Sequence, residues 1–304
     1  MLKRIFLSLG LTIILVFILN ACLPSKSSGQ QPAKVMAVEP FLADITQNIA
    51  GDRLKVDSLI PIGLDPHNFE VTPQDVARIA DSGLLVENGF NLENWLKPVL
   101  ENTGGKQITI EAAKGLTGRS PHPGEPVGEM DPHFWMDPTK VITYIENIRV
   151  GLSQIDPGGE SAYRQNAENY TNTLKDLDQW IQTQVSQVPP ERRLLVTNHE
   201  SLGYFADRYG FQVIGTIIPS VSTGSSPSAQ QMAQLVDQVK KSGARVVFLE
   251  MGTNPQMAEQ LANETGIKVV TDLYTHTLTP PDGPAPNYID MIRYDTKIIV
   301  EALK

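Results

Sequence analysis

The chain has 304 residues, with 25 Lys and Arg against 34 Asp and Glu, a formal net charge of −9 and a single cysteine. An acidic chain without basic runs argues against a nucleic-acid partner. One cysteine rules out any internal disulfide, so stability must come from core packing, helped by metal if one is bound.

The N-terminus reads as an export signal. Lys3 and Arg4 precede an apolar run from Ile5 to Leu19, which ends in Leu19-Asn20-Ala21-Cys22. The run is short for a membrane span and has the layout of a secretory peptide. A small residue before a lone cysteine resembles a bacterial lipobox. Residues 1–22 are therefore expected to be a lipoprotein signal peptide, with Cys22 as the lipid-bearing first mature residue. Residues 23–33, rich in Ser, Gln and Pro, are expected to be a flexible tether. About 270 residues remain, enough for two domains.

Short β-branched stretches then alternate with amphipathic ones. Strands are expected at Lys34–Val38, Val56–Ile60, Leu84–Glu87 and Gln107–Ile110, and again at Leu194–Thr197, Val213–Ile217, Arg245–Leu249 and Lys268–Thr271. Helices are expected at Phe41–Ala50, Thr72–Asp81, Leu92–Glu101, Pro138–Ile155, Leu202–Tyr209, Ser228–Ser242, Pro255–Thr265 and Pro286–Leu303. Alternation of this kind implies an α/β fold with mainly parallel sheets flanked by helices. Four strands in each half predict two similar lobes, residues 34–156 and 191–304. Between them, in residues 157–190, Leu174, Leu177, Trp180, Ile181 and Val185 recur with a helical period. That pattern predicts one long rigid helix joining the lobes.

Four of the five histidines sit in short distinctive segments: Asp65-Pro66-His67, Asp131-Pro132-His133, Asn198-His199-Glu200 and Thr275-His276. No two could share a helical turn, so a common site would have to be assembled by the fold. Open α/β sheets bind ligands beyond the carboxyl ends of their strands. His67, His199 and His276 follow such ends, and His133 lies in the loop before the Pro138 helix. Four imidazoles from four loops make a credible tetrahedral set for zinc.

Longer blocks surround these residues. They are Gly63-Leu64-Asp65-Pro66-His67-Asn68-Phe69-Glu70-Val71-Thr72-Pro73, Asp131-Pro132-His133-Phe134-Trp135-Met136-Asp137-Pro138, Val196-Thr197-Asn198-His199-Glu200-Ser201-Leu202-Gly203 and Asp282-Gly283-Pro284-Ala285-Pro286-Asn287. Together they resemble the solute-binding lipoproteins of bacterial ABC importers for zinc and manganese, the group with a rigid interlobe helix. The resemblance covers essentially the whole mature chain. It implies metal ligands at His67, His133 and His199. It also implies an ABC permease as partner, membrane attachment through the lipid, a monomer, and a place outside the cytoplasm. The family's fourth ligand is usually an Asp. Alignment back from Gly283 puts His276 there instead, with Asp272 as the alternative if the loop shifts by about one turn.

Four neutral imidazoles leave a divalent ion's charge uncompensated, so carboxylates must act through the free ring nitrogens. Asp137, Glu200, Glu250 and Asp272 are candidates by position. An all-nitrogen tetrahedron favours Zn2+ over Mn2+, which prefers oxygen and more ligands. Zinc-specific relatives often carry a His-rich acidic loop before the second ligand. Here residues 118–129 hold only His122, which leaves manganese open. A zinc hydrolase is the competing class. It would need an open metal position and a base such as Glu200 facing it. An adhesin, a label once given to such lipoproteins, would need no converging ligands.

Overall fold

The computed structural model describes residues 33–102, 104, 107–119 and 130–304. The expected signal peptide, Cys22, the tether up to residue 32, and His122 lie outside the described residues.

The first sheet comprises β1 (Val35–Ala37), β2 (Val56–Ser58), β3 (Leu84–Glu87) and β4 (Ile108–Glu111), in the order β2-β1-β3-β4. The second comprises β5 (Leu194–Thr197), β6 (Gln212–Thr216), β7 (Val246–Glu250) and β8 (Lys268–Leu273), in the equivalent order β6-β5-β7-β8. Every pairing within both sheets is parallel. Parallel neighbours need crossovers, and these are the helices α1 (Pro40–Ala50), α2 (Pro73–Ala80), α3 (Leu96–Asn102), α6 (Gly203–Tyr209), α7 (Ala229–Ser242) and α8 (Gln256–Thr265). α4 (Pro138–Ile155) and α5 (Glu160–Val185) join the halves, and α9 (Tyr288–Leu303) ends the chain.

Local chemistry sets the helix boundaries. Thr72 with Asp75 and Ser228 with Gln231 form reciprocal capping boxes at the starts of α2 and α7. Gly210, Gly243 and Gly266 end α6, α7 and α8 in the left-handed conformation that costs glycine least.

Strand residues divide between two faces by alternation. In β1, Val35 and Ala37 enter the main core, while Met36, with Val38 just beyond the strand, enters a separate cluster with Leu59, Ile79, Leu85 and Leu96. In β7, Val246 and Phe248 enter the main core, and Val247 and Leu249 face Leu235, Ala258 and Leu261. The main core runs without a break from the first sheet, through α4 and α5, to α6 and α9.

α5 has 26 residues, about 39 Å at 1.5 Å per residue. Tyr163, Ala167, Tyr170, Leu174, Leu177, Ile181 and Val185 form its buried stripe. Asp178 is the charged member of that buried face. It accepts from Arg208 Nε at 3.0 Å and Nη2 at 2.6 Å, Tyr209 Oη at 2.9 Å and Gln182 Nε2 at 2.8 Å. The long helix is thereby tied to α6 of the second half.

Burial raises the Asp178 carboxyl, but the bonds from Arg208 and Tyr209 outweigh it and hold the group below its usual range. A depressed carboxyl contributes stability above its unfolded value and loses it as pH falls through the folded one. Asp178→Ala should lower stability in urea unfolding by about 1–3 kcal/mol near neutral pH, because it leaves the buried Tyr209 hydroxyl without its acceptor, while the partly exposed Arg208 can turn to water. The gap to the parent protein should shrink below about pH 4.

Candidate metal centre

Each histidine stands where a strand-to-helix connection is pinned by a short turn. His67 lies in the 3-10 turn Pro66–Asn68, and the Asp65 side chain accepts its backbone N–H at 2.9 Å. Trp95 Nε1 donates to Pro66 O at 2.9 Å and holds that turn from behind. His133 precedes the 3-10 turn Phe134–Met136, with the Asp131 side chain accepting its backbone N–H at 2.9 Å. His199 lies two residues beyond β5, and Thr197 Oγ1 donates to its carbonyl at 2.8 Å. His276 follows β8, which extends to Leu273. Its loop is fixed by Tyr274 N–H donating to Asp295 at 2.9 Å and Trp135 Nε1 donating to Thr275 O at 2.7 Å.

These four turns bring the imidazoles together. His133 and His199 are fully buried, His276 is nearly so, and His67 is half-buried. The Nε2 atom of His67 lies 3.3 Å from those of both His133 and His276. His133 Nε2 lies 3.0 Å from His276 Nε2 and 3.4 Å from His199 Nε2. Nitrogens held about 2.0–2.1 Å from a central zinc ion form a tetrahedron with edges of about 3.3–3.4 Å. Four of the six Nε2 pairs lie at or near that spacing, and one ring nitrogen from each of the four histidines lies within 4.8 Å of the others, close enough for the set to hold one such ion.

The opposite ring nitrogens face oxygen. His133 Nδ1 lies 2.8 Å from Asp131 Oδ1, and His276 Nδ1 lies 2.8 Å from Thr275 Oγ1. His199 Nδ1 is 3.0 Å from Glu250 Oε1, close but off the line of a good hydrogen bond. Ser201 Oγ donates to the same Glu250 oxygen at 2.7 Å, and Glu250 Oε2 approaches His276 Nδ1 at 3.9 Å. These contacts leave the Nε2 lone pairs for the shared centre.

Electrostatics divide the set. Burial, followed by repulsion from the other rings, holds His67 and His276 well below the usual histidine value. Burial also opposes charge on His199, but Glu250, with smaller contributions from Asp65 and Asp131, raises it overall. Glu250 is lowered in return: burial pushes its carboxyl up, and His199, Ser201 and Thr275 outweigh that. His199 and Glu250 thus favour each other's charged forms in the metal-free site.

The structure corrects the outer carboxylates expected from sequence. Asp137 does not reach the rings; it caps α4, accepting from the Thr139 backbone N–H at 2.9 Å. Glu200 turns to Arg119, with Oε1 3.2 Å from Nη1. Asp272 is exposed, with its side chain on Thr271 Oγ1 at 2.7 Å, and is not among the residues brought together. Glu250 lies where position suggested. Asp131 was missed, although the repeated Asp-Pro-His triplet was its signal: the same turn caps His67 through Asp65. Arg119 was missed too. It joins Asp131, Glu200 and Asp207 and so ties the second histidine segment to the third.

Comparison with known proteins agrees with this geometry. Residues 35–302 match the family described as zinc-uptake complex component A, periplasmic. A manganese-binding lipoprotein of Halalkalibacterium halodurans is 31% identical over 277 residues, covering 91% of this chain and 90% of that one. An iron-binding protein of Yersinia pestis is 32% identical, covering 88% and 85%. Among solved structures, a manganese-bound mutant of a periplasmic metal-binding protein from Candidatus Liberibacter asiaticus superposes with a TM-score of 0.82 at 31% identity, covering 90% of this chain and all of that one. A periplasmic zinc-binding protein from Treponema pallidum gives 0.82 at 25% identity, covering 89% and 99%. With a family match over nearly all of the described residues, the chain belongs to the zinc-uptake complex component A family of periplasmic metal-binding proteins.

Proposed function

We propose that this protein is the extracytoplasmic solute-binding component of an ABC importer. It captures zinc at His67, His133, His199 and His276 and delivers it to the membrane permease. The observation that carries the reading is the convergence of four imidazoles, with four of their Nε2 pairs 3.0–3.4 Å apart and one ring nitrogen from each within 4.8 Å of the rest. The membrane anchor is the lipid on Cys22, and the working form is a monomer. No described helix is long and apolar enough to cross a membrane.

Zinc is favoured over manganese because all four donors are imidazole nitrogen, whereas manganese prefers oxygen-rich sites with more ligands. Relatives named for manganese and iron keep manganese as the alternative cargo. Hydrolysis is disfavoured. Four donors leave a tetrahedral ion no place for water, and Glu200 is engaged by Arg119 rather than facing the rings.

Competitive titration of zinc against manganese tests the reading. One tight zinc equivalent is expected, weakened more than about a hundredfold in His276→Ala and left nearly unchanged in Asp272→Ala. Damage confined to Asp272→Ala would mean a different loop register, and equal affinity for manganese would move the cargo to that metal.

Asp131→Ala should weaken zinc binding by about 10- to 100-fold in the same titration, because His133 loses the acceptor that orients its ring.

Binding should also weaken with acid. Protonated imidazole cannot ligate, and His199 takes up its proton above the ordinary value of 6.5 because Glu250 stabilises the cation. Affinity measured across pH should therefore begin to fall before pH drops to about 6.5 and continue falling below it.

A further inference from the structure

The two sheets place different chemistry at equivalent positions. Chain order reverses between β1 and β3 in the first sheet and between β5 and β7 in the second. Crevices at such reversal points are where open α/β sheets hold ligands. In the second sheet the residue two beyond β5 is His199, which meets Glu250 at the end of β7. In the first sheet the residue two beyond β1 is Glu39, and it meets Glu93 in the loop after β3.

Glu39 is fully buried, and neither of its carboxyl oxygens accepts a hydrogen bond from another residue's donor. Glu93 is buried as well, yet well served: Oε1 accepts the Asn88 backbone N–H at 2.5 Å and Oε2 accepts that of Gly89 at 3.1 Å. Two ionised carboxylates only accept hydrogen bonds, so they cannot satisfy each other. Burial and like charge both oppose ionising the second one. A single proton on Glu39 removes the conflict, because Glu39 then donates to Glu93 and neither group is left buried without a partner.

Glu93 in turn holds an unusual loop. Gly89, Phe90 and Asn91 all have positive φ, at 87°, 54° and 63°. Two consecutive non-glycine residues there are strained and persist only where the surroundings hold them. The loop braces the histidine site. Asn88 Nδ2 donates to Pro132 O at 3.1 Å, one residue before His133, and Tyr144 Oη donates to Asn88 Oδ1. Phe90, Asn91 and Leu92 line a small cavity together with His67 and Pro132.

We propose that Glu39 is a positioning residue for the histidine site: it stays a neutral acid, donates its proton to Glu93, and so locks the loop that braces His133. The inference deepens the metal-binding reading above and rests on it for its consequence, though not for the acid pair itself. Burial, then repulsion from Glu93, holds the Glu39 carboxyl well above its usual range. The other titratable groups facing the pair are Glu87 at the end of β3 and Tyr144 on α4, with Glu111 at the end of β4 acting on Glu87. Glu87 is itself pushed to about 8 by burial and by Glu93 and Glu111, so it serves as the control.

The experiment uses the full chain and three variants. In infrared spectra of metal-stripped protein at neutral pH, Glu39→Gln should lose one protonated-carboxyl C=O band that Glu87→Gln retains. In zinc titrations, Glu39→Gln should stay within about threefold of the parent, because its amide N–H still donates to Glu93, and Glu39→Ala should bind about tenfold more weakly. A group whose folded value is raised contributes stability at low pH and loses it as pH rises through that value. The unfolding midpoint of the parent should therefore fall relative to Glu39→Gln as pH rises above the ordinary glutamate value. Persistence of the band in Glu39→Gln, a flat or opposite pH trend, or equal weakening by Gln and Ala would each overturn the proposal. If Glu39→Ala does not fold, the band and the Gln variant still decide. A parent protein that binds no zinc would refute the metal reading, while the infrared arm would still test the acid pair.

Discussion

A divalent ion held by four neutral imidazoles keeps its full charge inside a buried site, and the surrounding structure has to answer that charge. The answer comes through the far ring nitrogens. Glu250 pairs with His199 and approaches His276, and Asp131 accepts from His133. These contacts orient the rings and bring negative charge within one imidazole of the proposed ion. The carboxylates need partners of their own in the same dry region. Ser201 serves Glu250, and Arg119 serves Asp131 together with Glu200. A polar network of this kind is costly when only partly satisfied, so its members stand or fall together.

Such a network requires backbone held to within a fraction of an ångström, and the fold supplies it by sharing one core between its halves. α5 buries a stripe of aromatic and aliphatic residues that is continuous with both sheets. Shorter ties cross closer to the rings. Gly63 N–H donates to Thr277 Oγ1 at 2.7 Å, and Asn68 Nδ2 donates to Thr223 Oγ1 at 2.7 Å, which binds the first histidine loop to loops of the second sheet. Trp135 stacks on Phe41 with centroids 4.5 Å apart while its indole N–H holds Thr275, so one side chain spans α1, the second histidine turn and the fourth.

Much of this was legible in the chain because it is written in local patterns. Strand and helix positions followed from alternation and capping chemistry, and the errors were one to four residues at element ends. The last helix, for example, starts at Tyr288, where Asn287 caps it, rather than at Pro286. His67 and His133 announced themselves by their Asp-Pro-His triplets and His199 by its acidic neighbour, whereas His276 was reached only by counting back from Gly283. What was not legible was which of several possible partners a polar side chain takes once the chain is folded. Asp137 and Glu200 sit beside the histidine segments, yet a helix end and Arg119 claim them. Asp131 faces His133 only because the turn folds its side chain back over the ring. Glu39 gave no sign at all, because a glutamate at a helix start is ordinary until a second buried carboxyl is placed against it.

By itself the sequence determined the alternating α/β plan, the long connecting helix and the residue types of the site, since each rests on periodicity, capping or donor chemistry within a few residues. Only the tertiary structure decided that His276 rather than Asp272 joins the other three rings, which carboxylates answer them, and that the first sheet carries an acid pair where the second carries a histidine. Those outcomes depend on which side chains meet across loops some 50 or more residues apart, and on which of them is left without water.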